Sequence, residues 1–292
     1  MSWRTVLITH KAKASYKDGY MIVKSDESEN IIHLSEIATV IFENTAINIT
    51  AYLLCELANN KVKIIFCDHK RNPYGEVMPY YGRYNVSKKM MIQTKWSVDL
   101  KKFLWLMIVK QKIKNQSMIL RKFGYEMEAV MLESYANEVQ LEDVTNREGH
   151  AAKVYFNALF GKKFSRDQDN PTNAALNYGY SILLSTFNRE ISNNGYSTSL
   201  GINHVSEYNP FNLSSDLIEP FRVIVDDYVY RNRELAFSQG MKLDLIDLLN
   251  ARTQFDEQNQ FVTKAIELYV RSFFQALEEK DVRKFKLYEY KD

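Results

Sequence analysis

The chain has 292 residues, 46% of them hydrophobic, and a formal net charge of +2, which is room for two modest domains or one large one with a real core. Its apolar runs fall far short of the ~18–20 residues a helical membrane span needs; the stretch 103–109 is flanked by lysines, so a membrane span is excluded. The opening Met1-Ser2-Trp3-Arg4-Thr5 passes straight into a strand-like alternation without a secretory leader. The two cysteines, Cys55 and Cys67, sit in apolar contexts and read as reduced, buried thiols. A cytoplasmic location is expected on both counts.

The first 85 residues are strand-rich. Residues 4–10 alternate, and 16–23 continue through Asp18-Gly19, a hairpin signal. Short strands are expected at 30–34 and 38–42. Asn48 can cap a short helix over 49–58 that buries Leu53, Leu54 and Leu57, and 61–67 reads as a buried strand. His33 and His69, near strand ends, read as structural. Asn72-Pro73-Tyr74-Gly75 and Pro79-Tyr80-Tyr81-Gly82 mark a linker. The pattern then turns helical, with helices expected at 87–115, 117–137, 145–159, 172–193, 214–232, 240–250 and 261–279, and a charged, mobile tail from 280. The fold class is therefore α+β. A β-rich domain spans residues 1–72, a linker 73–86, and a larger all-α domain 87–292.

The near-neutral net charge conceals segregation. Between Val86 and Tyr125 stand Lys88, Lys89, Lys95, Lys101, Lys102, Lys110, Lys112, Lys114, Arg121 and Lys122 against Asp99 alone. From Glu126 to Gly149 acidic residues dominate, with Arg147 the one basic residue. A cationic helix interleaved with Trp96, Phe103 and Trp105 suits a phosphate backbone, although a solvated helix face gives the same pattern.

Three stretches could carry chemistry. In the first, residues 201–227, His204 precedes a helix start at Ser214 or Ser215, where Asp216 and Glu219, three apart, share a face. An imidazole facing two anchored carboxylates suits a hard metal or acid–base work; a capped helix start with a surface His explains the same residues. In the second, Thr145 and Glu148 have the spacing of a capping box, a structural use for Glu148, and His150 diverges from it. In the third, Asn170-Pro171 opens a helix whose Asn173, Asn177 and Tyr180 share one face, lining a groove or meeting solvent. Phosphate loops, dinucleotide fingerprints, nucleophile elbows and zinc motifs are all absent. An enzyme built from these residues would use carboxylates and His around a divalent ion, a set suited to phosphodiesters.

Taken together, three blocks resemble the CRISPR-associated integrase family, protein one of the Cas set (Cas-one). They are Arg147-Glu148-Gly149 with Ala151-Ala152 and Tyr155-Phe156; Asn173 through Tyr178 and Tyr180; and His204, Asn209-Pro210 and Asp216-Leu217-Ile218-Glu219-Pro220-Phe221-Arg222. With the strand-rich front, the likeness covers nearly the whole chain, and the segment 3–24 looks like the type II-A branch. The family places Asp or Glu at the position of Glu219, and a proline it often carries after the arginine is Val223 here.

The resemblance implies a β-domain that builds a homodimer and a helical domain in which Glu148, His204 and Glu219 ligate Mg²⁺ or Mn²⁺, with Asp216 as a supporting carboxylate. It implies attack of prespacer 3′-hydroxyls on repeat phosphodiesters in double-stranded DNA. The assembly implied is two homodimers joined by a dimer of the small Cas-two protein, with other type II adaptation proteins as further partners. The candidate DNA grip is Lys88, Lys89, Lys95, Lys101, Lys102, Arg147, Asn173, Asn177 and Tyr180. Two alternatives use the same residues: a structure-specific metal-dependent endonuclease, and a non-catalytic helical DNA-binding scaffold.

Overall fold

The computed structural model describes residues 4–77 and 85–291. The chain divides into two compact units, Met1–Gly82 and Arg83–Asp292.

The first unit carries strands β1 (Arg4–Ile8), β2 (Lys13–Lys17), β3 (Tyr20–Lys24), β4 (Glu29–His33), β5 (Ile37–Phe42) and β6 (Asn48–Ile49), helix α1 (Ala51–Asn59), and strands β7 (Lys63–Cys67) and β8 (Pro73–Glu76). They form two four-stranded sheets, ordered β1-β5-β7-β8 and β4-β3-β2-β6. In the first, β5 runs parallel to both β1 and β7, which explains why it reads as a continuous apolar run. In the second, Asp18 (φ 49°) and Gly19 (φ 87°) make the two-residue turn between β2 and β3 that the sequence announces. Ala14, Met21, Ile37, Val40, Leu53, Leu57 and Ile64 fill the core of this unit.

Several expectations shift. Thr50, not Asn48, caps α1, its hydroxyl accepting from the Leu53 amide. Cys67 is buried, but Cys55 lies on the exposed side of α1, and neither forms a disulfide. The expected linker begins with an edge strand, because Pro73 and Gly75 pair with β7 where no inner ladder needs the missing amide. Pro79-Tyr80-Tyr81-Gly82 lies outside the described residues.

The second unit holds α2 (Val86–Gln93), α3 (Val98–Lys122), α4 (Glu126–Glu138), α5 (Arg147–Phe160), α6 (Pro171–Asn193), α7 (Asn212–Leu217), α8 (Arg222–Arg231) and α9 (Gln239–Asp247). A hairpin of β9 (Arg252–Phe255) and β10 (Gln258–Phe261) and the helix α10 (Val262–Glu279) follow. The architecture is a β-rich region followed by a mostly helical one, as the pattern predicts, with this hairpin as the exception. Its turn residues Asp256 (φ 50°) and Glu257 (φ 63°) adopt left-handed backbone without glycine or asparagine, which hid it from view.

Helix α3 is the axis of the unit. It spans 25 residues, about 37 Å, and buries Leu104, Ile108, Ile113, Ile119 and Leu120. The helix expected over 87–115 breaks before it: Trp96 turns inward onto Phe273, Phe274 and Tyr196, and the Ser97 hydroxyl caps the new start. Nor does α3 stop near 116. Asn115 and Gln116 are buried within it, and the stop comes at Gly124 (φ 82°), where the Tyr125 amide donates to the Leu120 carbonyl in a Schellman closure.

The tail expected to be mobile is packed. Phe285 and Tyr288 are buried, Tyr288 stacking on Phe221 with centroids 4.0 Å apart. Among the described residues no helix is long and apolar enough to cross a membrane.

Candidate functional site

Glu148 sits in the first turn of α5. The capping box with Thr145 does not form. Asn146 occupies the cap position with no side-chain bond, and the Asp143 carboxylate accepts instead from the amides of Arg147 (2.8 Å) and Glu148 (2.9 Å). The Glu148 side chain is thereby released, and its Oε1 lies 2.6 Å from Lys112 Nζ.

The segment carrying Asp216 and Glu219 is two short pieces. Helix α7 starts at Asn212, two residues before the serines expected to cap it, and Pro220 then forces a short 3-10 turn, Glu219–Phe221. The two carboxylates face different partners. Buried Asp216 gathers the preceding loop: Oδ2 accepts from the amides of Ile202 (2.7 Å) and Asn203 (3.2 Å), and Oδ1 from the amide of His204 (3.0 Å). His204 Nδ1 lies 2.6 Å from the same Oδ1. Gly201 is required there, since a Cβ would fall 2.4 Å from the His204 carbonyl and 2.7 Å from Asp216 Oδ2. The Asp216 hydrogen bond outweighs partial burial and raises the His204 pKa above its ordinary value.

Glu219 is buried, with Oε1 3.0 Å from Arg222 and Oε2 2.6 Å from Lys112 Nζ. Burial pushes its pKa up, but Arg222 and Lys112 overcome that and hold it at about 2. Burial likewise opposes the charge on Lys112, and Glu219 and Glu148 outweigh it, so its pKa rises.

One face of α3 therefore joins the pieces. Trp105 meets the His204 ring edge-on at 5.7 Å, and Lys112, two turns on, binds both glutamates. The structure brings Glu148 and Glu219 to one cation, with the His204 ring within electrostatic reach of both. Lys112 and Trp105 were missed as site residues. The signal for them is their seven-residue spacing on the long basic helix, a pattern that by itself suggests only a phosphate grip.

The residues fit a divalent ion by donor chemistry. Two carboxylates already share one cation, Glu219 Oε2 is buried without a well-directed hydrogen bond, and the imidazole is oriented by a carboxylate behind it, as metal-ligating histidines commonly are. Among the described residues no three acidic, His or Cys side chains already stand in ligating geometry, since the Lys112 ammonium lies between the two glutamates.

The face of α6 expected to line a groove is internal. Asn173 is buried, its amide donating to the carbonyls of Ser165 and Gln168 (both 2.8 Å), and Arg166 holds Asn173 Oδ1 and Asn177 Oδ1. Tyr180 is also buried. Its hydroxyl and that of Tyr155 donate to Asp226, and Arg222 stacks on the Tyr180 ring at 4.6 Å. Of these candidate grip residues only Asn177 is exposed. Arg147 pairs with Glu138 (2.7 Å), Lys102 with Glu142 (2.8 Å), and Lys89 with Glu278, while Lys88 and Lys95 are exposed.

Beside His204 opens a groove of about 850 Å³, lined in part by Thr94, Lys101, Tyr208, Asn209 and Asn212. Tyr208 at its rim is 93% exposed.

A family model described as CRISPR associated protein Cas1 matches residues 5–236. A "CRISPR-associated endonuclease Cas1" of Neisseria meningitidis serogroup C (strain 8013) is 36% identical over 292 residues, covering 98% of this chain and 96% of its own. "CRISPR-associated endonuclease Cas1 1" of Francisella tularensis subsp. novicida (strain U112) is 25% identical over 239 residues, 75% of each chain. In fold, the chain is similar to a casposase bound to integration product, with TM-score 0.77, 17% identity and coverage of 95% and 91%. It is also similar to part of a Cas6-RT-Cas1–Cas2 complex, with TM-score 0.78, 18% identity and coverage of 99% of this chain and 36% of the other.

Proposed function

The chain belongs to the CRISPR-associated Cas1 family, and on that footing we propose that it is a metal-dependent DNA integrase of spacer acquisition, joining prespacer 3′-hydroxyls to repeat phosphodiesters. One observation carries the chemical part of this reading: Glu148 and Glu219 meet at a single cation position beside an imidazole held by Asp216.

Glu148, Glu219 and His204 would hold Mg²⁺ or Mn²⁺. Such an ion supplies phosphate polarisation and acidifies the attacking hydroxyl. Asp216 binds Nδ1 of His204, which leaves Nε2 as the ligating nitrogen and fixes the plane of the ring. Arg222 keeps Glu219 Oε1 engaged and so presents Oε2 to the site. Lys101 and Tyr208, lining the groove beside His204, offer a cation and an aromatic face to an incoming strand. Exposed Lys88 and Lys95 extend the positive surface. Contacts of this kind are made to the backbone, as suits a spacer of arbitrary sequence. The DNA supplies its own nucleophile, so positioning carries much of the rate and no covalent protein intermediate is needed.

Two partners belong to the reading: a second copy of the chain, met through the β-rich unit, and a small Cas2-type protein, two homodimers flanking one Cas2 dimer. The likeness in fold to Cas6-RT-Cas1–Cas2 complexes supports the second. Relatives named endonucleases favour a second reading, in which the same residues direct water at the phosphodiester.

The deciding experiment is strand transfer. Protein and its Cas2 partner are mixed with a labelled duplex bearing free 3′-hydroxyls and a repeat-containing plasmid, in Mn²⁺, Mg²⁺ or EDTA. The expected result is label joined to plasmid only with metal, lost at least 100-fold in Glu148→Ala, the scale of an electrostatic catalytic group. Nicking without label transfer supports the endonuclease. Salt-sensitive binding with no reaction supports a DNA-binding scaffold.

A further inference from the structure

Among the described residues Lys112 is the one cation that touches both glutamates of the proposed metal site, and it does so from α3, between buried Gln111 and Ile113 in sequence. Its side chain is 13% exposed, and its Nζ stands 2.6 Å from Glu148 Oε1 and 2.6 Å from Glu219 Oε2. An ammonium at that position excludes a second cation from the same oxygens.

Charge balance gives the same answer. Glu148 and Glu219 are matched by Lys112 and Arg222, and Asp216 behind His204 adds one further carboxylate. A divalent ion added beside Lys112 would leave one uncompensated positive charge next to that ammonium in a partly buried pocket, which is unfavourable. Departure of Lys112 brings the site, Asp216 included, back to neutrality. The remaining partners hold the pocket open for that exchange. Arg222 still fixes Glu219 Oε1, and the amides bound to Asp143 still fix the turn that carries Glu148.

The Lys112 contacts are also unequal. Its contact with Glu148 meets hydrogen-bond geometry, and that with Glu219 Oε2 is an ion pair of the same 2.6 Å length at a less favourable angle. A carboxylate oxygen of this kind is the ordinary ligand of Mg²⁺ or Mn²⁺.

We propose that Lys112 is a built-in counter-cation: it holds the two carboxylates together in the metal-free protein, must swing out for a divalent ion to enter, and thereby sets the metal concentration at which the site loads. The inference rests on the metal reading given above.

The test measures Mn²⁺ binding to the full-length protein, by electron paramagnetic resonance or calorimetry, for the wild type and Lys112→Met. The expected result is about tenfold tighter binding in Lys112→Met, the size of a typical coupling between two ligands. Its metal-free form should melt below the wild type, with the difference shrinking at saturating Mn²⁺. Equal or weaker Mn²⁺ binding in Lys112→Met overturns the proposal. A second measurement needs no variant: acylation of the Lys112 amine in wild-type protein, followed by peptide mass spectrometry, should accelerate several-fold when Mn²⁺ is added. An unchanged rate in protein that demonstrably binds Mn²⁺ overturns the proposal, while absence of Mn²⁺ binding in both proteins overturns the metal reading beneath it.

Discussion

Asp226 separates what supports the site from what belongs to it. It is buried and accepts hydrogen bonds from Tyr155 and Tyr180, beneath the Arg222 that braces Glu219. Burial pushes its pKa up to about 6, against the hydrogen bonds and arginines that lower it. A carboxyl whose folded value lies above its unfolded one of about 3.9 favours the folded state most at low pH. That contribution declines as pH rises from the unfolded value through about 6, then stays flat. Asp226→Asn should remove this slope and leave the protein as stable as the wild type, or more so, at pH 7.5, with a differential of roughly 2–3 kcal/mol between pH 4 and pH 7.5. Urea melts of both proteins at the two pH values check it, and an undiminished slope in the variant would assign the pH dependence elsewhere. Single residues were the least legible level of this molecule. Glu148 was visible as a chemical group, yet its spacing to Thr145 pointed to a cap that Asp143 in fact provides. Asn173 and Tyr180 share a face as expected, but that face turns inward because Arg166, from the loop just before α6, and Asp226, far along the chain, partner it. Periodicity marks a face without saying what covers it.

At the scale of elements, the turn that carries Glu219 is held by the end of the chain. Asn115 on α3 uses its full hydrogen-bonding capacity there. Its Nδ2 donates to the carbonyls of Pro220 (2.8 Å) and Tyr288 (2.9 Å), and its Oδ1 accepts from the Tyr290 amide (3.0 Å) and from Gln111 (2.9 Å). Tyr288 adds the stack on Phe221. A tail of mixed charges reads as solvated; what fixes this one is a few aromatics and one asparagine far earlier in the sequence, a pairing that no local pattern shows. Asn115→Leu keeps the branched shape at a larger volume and leaves buried carbonyls of two segments without donors. It should cost roughly 3 kcal/mol of stability, at about 1–3 kcal/mol for each buried group left unsatisfied. It should also lower strand transfer in protein that remains folded, by loosening Pro220 beside Glu219. Denaturant titration alongside the transfer assay separates the two effects, and full activity at reduced stability would mean that the tail braces the fold but not the site. Helix existence was legible throughout this unit because its apolar spacing is regular. Helix ends were not, since Ser97, Gly124 and Pro220 decide them through caps and turns that override the run of periodic residues.

For the whole molecule, the informative quantity is where charge is placed. A net charge of +2 on 292 residues predicts little attraction to DNA. The basic segment of the helical unit changes that expectation only through those cations that remain available. Lys89, Lys102 and Lys112 are tied to Glu278, Glu142 and the two site glutamates, so the segment is less cationic outward than its composition suggests. Lys88 and Lys95 are exposed, and Lys101 lines the groove at His204. These three should carry the non-specific grip. Replacing them together by alanine is expected to weaken duplex binding uniformly across sequences. The slope of log affinity against log salt should fall by about 0.9 for each phosphate contact removed. Replacing Lys89 and Lys102 should change that slope far less, because each gives up an internal carboxylate rather than a phosphate. Binding titrations from about 50 to 200 mM salt distinguish the two sets. A larger change from the paired lysines would mean that their ion pairs open on DNA and that the grip runs along the whole basic segment.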